Sequence, residues 1–174
     1  MLFSLAPQRS FSYDTDMIEE AEFYASLPKK RMGAAAFFLN QEEQILLVKP
    51  TYRDYWLLPG GSIEADESPL QGCMREVREE LGLDLIMERL LCLDYVARQG
   101  VLTENVQFIF AGGTLSRAQI EAIKLPAKEL SDFQFCPLAD AITLVSPRMS
   151  KRLVYCFKAL REQTTIYLEG GRQI

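Results

Sequence analysis

Glu76, Glu79 and Glu80 fall within roughly one and a half turns of a segment whose spacing predicts a helix over 69–81. Their charges repel: each like-charge neighbour one turn apart costs about 0.2–0.5 kcal/mol. Anions in the last turn of a helix also oppose its dipole, at about 0.3–1 kcal/mol each. The one ready offset is Arg75, four residues before Glu79. Such a cluster is either a solvated charged face or a site for a hard divalent cation held by oxygen ligands. The chain has no histidine. The commonest general base and zinc ligand are therefore missing. Acid–base work must fall to carboxylates, lysine, tyrosine, cysteine or metal-bound water.

The helix that carries the cluster has well-marked ends. Ser68 is placed to cap it, Pro69 suits its first position, and Gln71 completes a Ser-x-x-Gln capping box. Gly82 suits the left-handed position after its last turn. Leu70, Cys73, Met74, Val77 and Leu81 recur at steps of three and four, a stripe expected to face a core. The three glutamates occupy the other side.

Around this helix, residues 61–83 resemble the Nudix box, G-x5-E-x7-R-E-U-x-E-E-x-G-U with U aliphatic. Gly61, Glu67, Arg75, Glu76, Val77, Glu79, Glu80, Gly82 and Leu83 fill its defined positions. The segments LLVKPTYRDYWLLPGG, FIFAGGTL, AKELSDFQF and YLEGG extend the resemblance to a MutT-like bacterial subgroup over roughly residues 25–171. The resemblance implies a Nudix fold, an α/β (α+β) architecture in which a mixed β-sheet lies inside an α/β/α sandwich. It implies cleavage of a nucleoside diphosphate linked to a group X, with Mg²⁺ or Mn²⁺ as cofactor. It makes Glu79 and Glu80 metal ligands, Glu76 a third ligand or the general base, and the carbonyl of Gly60 a further ligand. Arg75 would pair with a box carboxylate such as Glu67 and orient the site. Glu129 stands where many relatives carry another carboxylate ligand or base; the alternative is a surface residue before a strand.

Candidate substrate contacts are Lys49, Arg53, Tyr55 and Arg98, each also explicable as an ordinary exposed side chain. Trp56 is a stacking candidate whose alternative is core packing. Features downstream of the box that mark some substrate classes in the family are absent: no proline stands near Arg98 and Gln99, and Tyr95 comes early for a dinucleoside polyphosphate enzyme. The remaining expectation is a (deoxy)nucleoside triphosphate or modified nucleotide. Two other classes compete with hydrolysis: a Nudix-fold sensor that binds a nucleotide or nucleotide sugar without cleaving it, and an interaction module with an acidic helix.

The elements that must position these residues are legible in outline. MGAAAFFL and QILLVK read as strands joined by the turn at 40–43, and YWLLPGGSIE as a strand and turn with a further extended piece. LIMERLLCLDYVAR, TENVQFIFAGG and LSDFQFCP read as strands, and PLADAITLV and SPRMSKRLVYCFKALREQ as helices. Met149, Leu153, Phe157 and Leu160 recur at helical spacing in the last. Gly112 and Gly113 read as a bulge, a turn or a place of close ligand approach. Residues 1–25 form an N-terminal extension, with a short helix in which Asp16 caps the apolar positions Met17, Ile18, Ala21, Tyr24 and Leu27. Residues 26–174 form the Nudix domain.

The 174 residues are 48% hydrophobic and 25% charged, an ordinary globular balance. The net charge of −5 disfavours a general nucleic-acid surface. MLFSLAPQRS has neither a basic n-region nor a long apolar h-region, so no signal peptide is expected, and no apolar run predicts a membrane span. Cys73, Cys92, Cys136 and Cys156 are widely spaced and read as buried free thiols, with surface disulfides or a thiol nucleophile as the alternatives. The expected setting is a cytoplasmic monomer or homodimer acting on a small nucleotide.

Overall fold

Nine residues, Arg31–Leu39 with sequence RMGAAAFFL, form the strand around which the sheet is built. Seven of them, from Gly33 on, are buried. Such a continuous apolar run suits a central strand covered on both faces. In the computed structural model, which describes residues 13–174 and only the backbone of 13–19, both faces of this strand are indeed covered.

In chain order the elements are α1 (Tyr13–Ser26), β1 (Arg31–Leu39), β2 (Ile45–Pro50), β3 (Gly60–Ser62), α2 (Pro69–Leu81), β4 (Leu90–Val96) and β5 (Asn105–Thr114). Then follow α3 (Arg117–Glu121), β6 (Leu130–Cys136), α4 (Leu138–Leu144), α5 (Pro147–Arg161), β7 (Ile166–Glu169) and β8 (Arg172–Gln173). Among the described residues the sheet order is β6-β2-β1-β5-β4-β7-β8, with β3 paired to β1. β1 runs parallel to β5, and β4 parallel to β7; the other pairs are antiparallel. The sheet is therefore mixed, as expected.

Alternate residues of β1 point into different cores. Ala34, Ala36 and Phe38 join Cys73, Val77 and Leu81 of α2. Ala35, Phe37 and Leu39 join Leu153, Cys156 and Ala159 of α5. Helices thus lie on both faces, the α/β/α sandwich. Each large side chain so buried contributes about 1.5–3 kcal/mol. The α2 helix ends as its sequence predicts. Ser68 accepts from the Gln71 amide, the Gln71 side chain answers the Ser68 amide, and Gly82 takes φ 69°. Leu70 departs from the expected stripe: it is 40% exposed, while Gly72 and Cys73 in the next turn are buried.

Other departures have local causes. The helix α1 begins at Tyr13, so Asp16 lies within it and is not its cap. Its described side chains, Glu20 to Ser26, are all exposed; those of Met17 and Ile18 lie outside the described residues. The strand expected over 85–98 narrows to Leu90–Val96. Before it, Met87 is buried under α2, and Glu88 and Arg89 exchange backbone bonds with Ala111 at the edge of a register shift. Trp56 and Leu57 form isolated bridges, to Val145 and Val48, and no strand of their own. The elements α3, β7 and β8, of five, four and two residues, are additions to the elements expected from sequence. Gly112 lies at a bulge opposite Phe37 and Phe38, where an added methyl would sit 2.2 Å from the Phe38 ring. All four cysteines are buried and free.

Gly60 opens β3 with φ 145°, and a methyl there would come within 2.2 Å of the Ala34 carbonyl oxygen. No side-chain rotation relieves a clash with backbone. Gly60→Ala is expected to destabilise by about 3 kcal/mol or more, read as a lower urea midpoint. A midpoint equal to that of the natural protein would show that β3 yields freely.

Candidate active site

The glycine pair that opens β3 stands between two contrasting surfaces. Behind it lies the glutamate face of α2. Glu80 Oε2 accepts from the Gly60 amide at 2.7 Å. A methyl on Gly61 would sit 2.4 Å from Glu76 Oε1. The register that pairs Gly60 with Ala35 and Gly61 with Ala34 presses both glycines against the central strand. The helix α2 is thereby held so that its carboxylates touch the β3 backbone.

Arg75 organises the cluster. Its Nε and one terminal nitrogen grip both oxygens of Glu67, at 2.8 and 3.1 Å. Its other terminal nitrogen donates to Glu76 Oε1 and to Glu79 Oε2, each at 3.0 Å. A fifth bond, 3.0 Å, goes to the carbonyl of Ser62. One guanidinium thus answers three carboxylates and fixes the end of β3 to α2. Such forked, charge-assisted contacts are the specialty of arginine. Glu67 also accepts from the Glu64 amide. Bonding to Arg75, then to that amide, holds its carboxyl below the usual range.

The remaining carboxylates are under-compensated. Burial pushes Glu80 up to about 8, helped by the charges of Glu76, Glu129 and Glu79 and opposed by the Gly60 amide. Burial also raises Glu76, against the pull of Arg75. Glu79 is the outermost, with its side chain 57% exposed. Glu129, carried just before β6, brings its charge to bear on Glu80, and its carbonyl accepts from the Thr51 amide at 2.8 Å. Among the described residues no three acidic, cysteine or histidine side chains converge into a closed metal cage. The donors instead form an open, all-oxygen set with excess negative charge. That chemistry fits a hard divalent cation such as Mg²⁺ or Mn²⁺. Glu79, Glu80 and the Gly60 carbonyl are the groups that could hold it, with Glu76 beside them as a third ligand or a base.

In front of the glycines is an open cavity of about 560 Å³. Arg53 and Tyr55 line it, as does Gly60. Arg53 also lies against the rings of Tyr52 and Tyr55, 5.6 and 5.4 Å from their centroids, and donates to the Tyr55 hydroxyl. Lys49 and Arg98 are not among the lining residues. The Lys49 ammonium turns to the Asp54 carbonyl, and Arg98 stands beside Glu104. Trp56 packs against the core on the α5 side. Cys73 lies in the core, where burial pushes its thiol up to about 12, so it is no nucleophile. The cavity also recruits Lys30, Arg31, Gln99, Arg148 and Arg152, which the sequence reading did not single out. They come from three separate stretches of chain, at the start of β1, after β4 and on α5, and no sequence pattern joins the three.

Known proteins resemble this one in sequence and in fold. The family model described as NUDIX domain matches residues 29–156. The chain is 33% identical over 94 residues to mRNA-decapping enzyme subunit 2 of Saccharomyces cerevisiae (strain YJM789), covering 54% of this chain and 9% of that protein. It is 42% identical over 64 residues to diphosphoinositol polyphosphate phosphohydrolase 2 of Mus musculus, covering 36% of each. The chain thus spans well under two thirds of the length of these relatives. Among solved structures, a UDP-X diphosphatase shares the fold with a TM-score of 0.68 at 23% identity, covering 89% of this chain and 74% of that one.

Two outcomes test the site. Gly61→Ala meets only the mobile end of Glu76, so it is expected to keep most of its stability but displace that carboxylate and lose at least tenfold in activity. Unchanged activity would remove Glu76 from the site. The Glu80 carboxyl is raised from 4.5 to about 8. The folded metal-free protein therefore keeps a proton that the unfolded chain has released. Stability present below pH 4.5 is lost as pH rises toward 8 and levels off above it. Melting temperatures of the metal-free protein are expected to fall across this window, and Glu80→Gln to flatten the fall; an identical slope in the variant would contradict the assignment.

Proposed function

The chain belongs to the NUDIX domain family, the Nudix hydrolases, and from that premise we propose that it is a metal-dependent pyrophosphohydrolase of a small nucleotide. The observation that carries this reading is the under-compensated carboxylate face of α2, set by Arg75 against the glycine wall of an open cavity. The substrate is a nucleoside diphosphate linked to a group X, in the narrower reading a (deoxy)nucleoside triphosphate or a modified nucleotide.

A polyphosphate is itself anionic, and the bare glutamate face would repel it. Bound Mg²⁺ or Mn²⁺ would reverse that field and stabilise charge on the transferring phosphoryl group. The residues of this chain have separable tasks. Glu79 and Glu80, with the carbonyl of Gly60, would hold the cation, and a Glu80 carboxyl raised to about 8 would have to be deprotonated to do so. Glu76 takes the proton of the attacking water; its half-buried setting and raised affinity for a proton suit a general base. Glu129 adds negative charge at the same place. Arg75 touches no substrate and acts by orienting the three carboxylates around it. Arg53 and Tyr55 contact the substrate from the cavity wall. Four free buried thiols fit a reducing, cytoplasmic setting for a monomer or homodimer. Among the described residues no helix is long and apolar enough to cross a membrane.

Phosphate release from a panel of nucleoside di- and triphosphates, oxidised nucleotides, nucleotide sugars and dinucleoside polyphosphates tests the reading, with each metal and with Glu79→Gln and Glu80→Gln beside the natural protein. One class is expected to turn over, and both variants to lose at least a hundredfold, the scale of removing a group that stabilises transition-state charge. A nucleotide bound tightly and left uncleaved would establish the sensor alternative instead.

A further inference from the structure

One basic side chain in the cavity is buried and only half used. Arg152, on α5, is 6% exposed. Its Nε donates to Asp94 Oδ2 at 2.6 Å, while Asp94 Oδ1 accepts from the Gly171 amide at 3.0 Å. The two terminal nitrogens of Arg152 have no acceptor among the described residues, yet no buried side-chain nitrogen or oxygen there is sealed in without a partner. They therefore reach the cavity, which Arg152 lines. A planar pair of donors, presented from a buried and rigid base, is shaped for two oxygens of one oxyanion.

The surroundings match that ligand. Arg148 stands one turn earlier on α5, lines the same cavity, and donates to the side chain of Gln99 at 3.0 Å. No aspartate or glutamate is among the residues that line the cavity. Asp94 neutralises one of its basic groups and Glu104 another, Lys30, leaving Arg31, Arg53 and Arg148 without a carboxylate partner among the described residues. The pair on α5 also lies apart from the glutamates. The helix α5 packs on one face of the sheet and α2 on the other, and Glu76, Glu79 and Glu80 do not line the cavity. The start of β3, Gly60 to Ser62, touches both sides.

We propose that Arg148 and Arg152 form an oxyanion subsite for a phosphate that the substrate carries outside the diphosphate that is cleaved. This rests on the hydrolase reading above and narrows it: the substrate spans the glycine wall, with its diphosphate at the glutamates and a second phosphate at α5. An unmodified nucleoside triphosphate lacks that second group. A nucleotide phosphorylated on its sugar, or a group X bearing its own phosphate, supplies it.

The test separates the subsite from the reaction. Inorganic phosphate is titrated by calorimetry into the metal-free protein, where the glutamate face repels anions. Saturable binding is expected, weakened at least tenfold by Arg148→Ala, whose side chain is not part of the buried pair. Arg152→Lys keeps a cation for Asp94 but loses the fork, and is also expected to weaken binding at least tenfold with the melting temperature largely kept. Glu80→Gln, which abolishes turnover in the hydrolase reading, is expected to leave phosphate binding intact. In turnover assays NADPH is run beside NADH and 2′-phospho-ADP-ribose beside ADP-ribose, and the phosphorylated member is expected to have the lower KM, with the difference lost in Arg148→Ala. No phosphate binding, or binding unmoved by both arginine variants, overturns the subsite whatever the enzyme cleaves. Absent turnover with intact, arginine-dependent phosphate binding overturns the hydrolase reading and leaves the subsite standing.

Discussion

The Arg75 guanidinium is the contact on which the site depends. It has five N–H donors, and five bonds leave it: two to Glu67, one each to Glu76 and Glu79, and one to the Ser62 carbonyl. No lysine could replace it, because an ammonium has three donors and no fixed fork. The same group that offsets repulsion within the helix also ties the end of β3 to that helix. Positioning and charge compensation are therefore one interaction. Glu80, which Arg75 does not reach, is pushed up to about 8 by burial, while Glu76 is raised against the pull of Arg75. Arg75 thus ties down Glu67, Glu76 and Glu79 and leaves Glu80 without an ion-pair partner among the described residues.

That arrangement needs a stiff support, which the sheet supplies. β1 is buried on both faces, so neither α2 nor α5 can slide without opening a core. Its small residues, Ala34 to Ala36, let β3 approach closely enough for the Gly60 amide to meet Glu80. Larger side chains there would push the glycine wall off the central strand. The apolar stripe of α2 then sets which way the glutamates face.

How much of this was legible in sequence follows from the range of the interactions. The α2 helix is specified by neighbours in the chain: a capping box, a proline, a glycine and a stripe at helical spacing. It was read to the residue, and the box it carries brought the family with it. Leu70 misled because periodicity reports which side of a helix is apolar, not how much of that side is covered. Asp16 misled because an acidic residue suits both a cap and a helix interior. α3, β7 and β8 are short and gain their order from the sheet they join. The cavity was the least legible part. Lys30, Arg31, Gln99, Arg148 and Arg152 come together only through the parallel pairing of β1 with β5 and the packing of α5 against β4. Lys49 and Arg98 were plausible by type, but a basic residue marks a phosphate site only when its neighbours leave it exposed to one.

The central strand and the Glu76 side chain explain why glycine occupies positions 60 and 61, between the two charged surfaces. Acidic groups on α2 and basic groups on α5 would neutralise one another if they met, and neither would then hold a ligand. A sheet-thick layer keeps them apart. The wall between Glu80 and the cavity is the β3 backbone itself. At Gly61 a methyl would occupy the space of the Glu76 carboxylate, and at Gly60 it would strike the Ala34 carbonyl. Backbone without side chains is thus the only material that fits. The constraint on β3 is set by the acidic helix and the central strand together, and the basic cavity opens on the bare backbone they require.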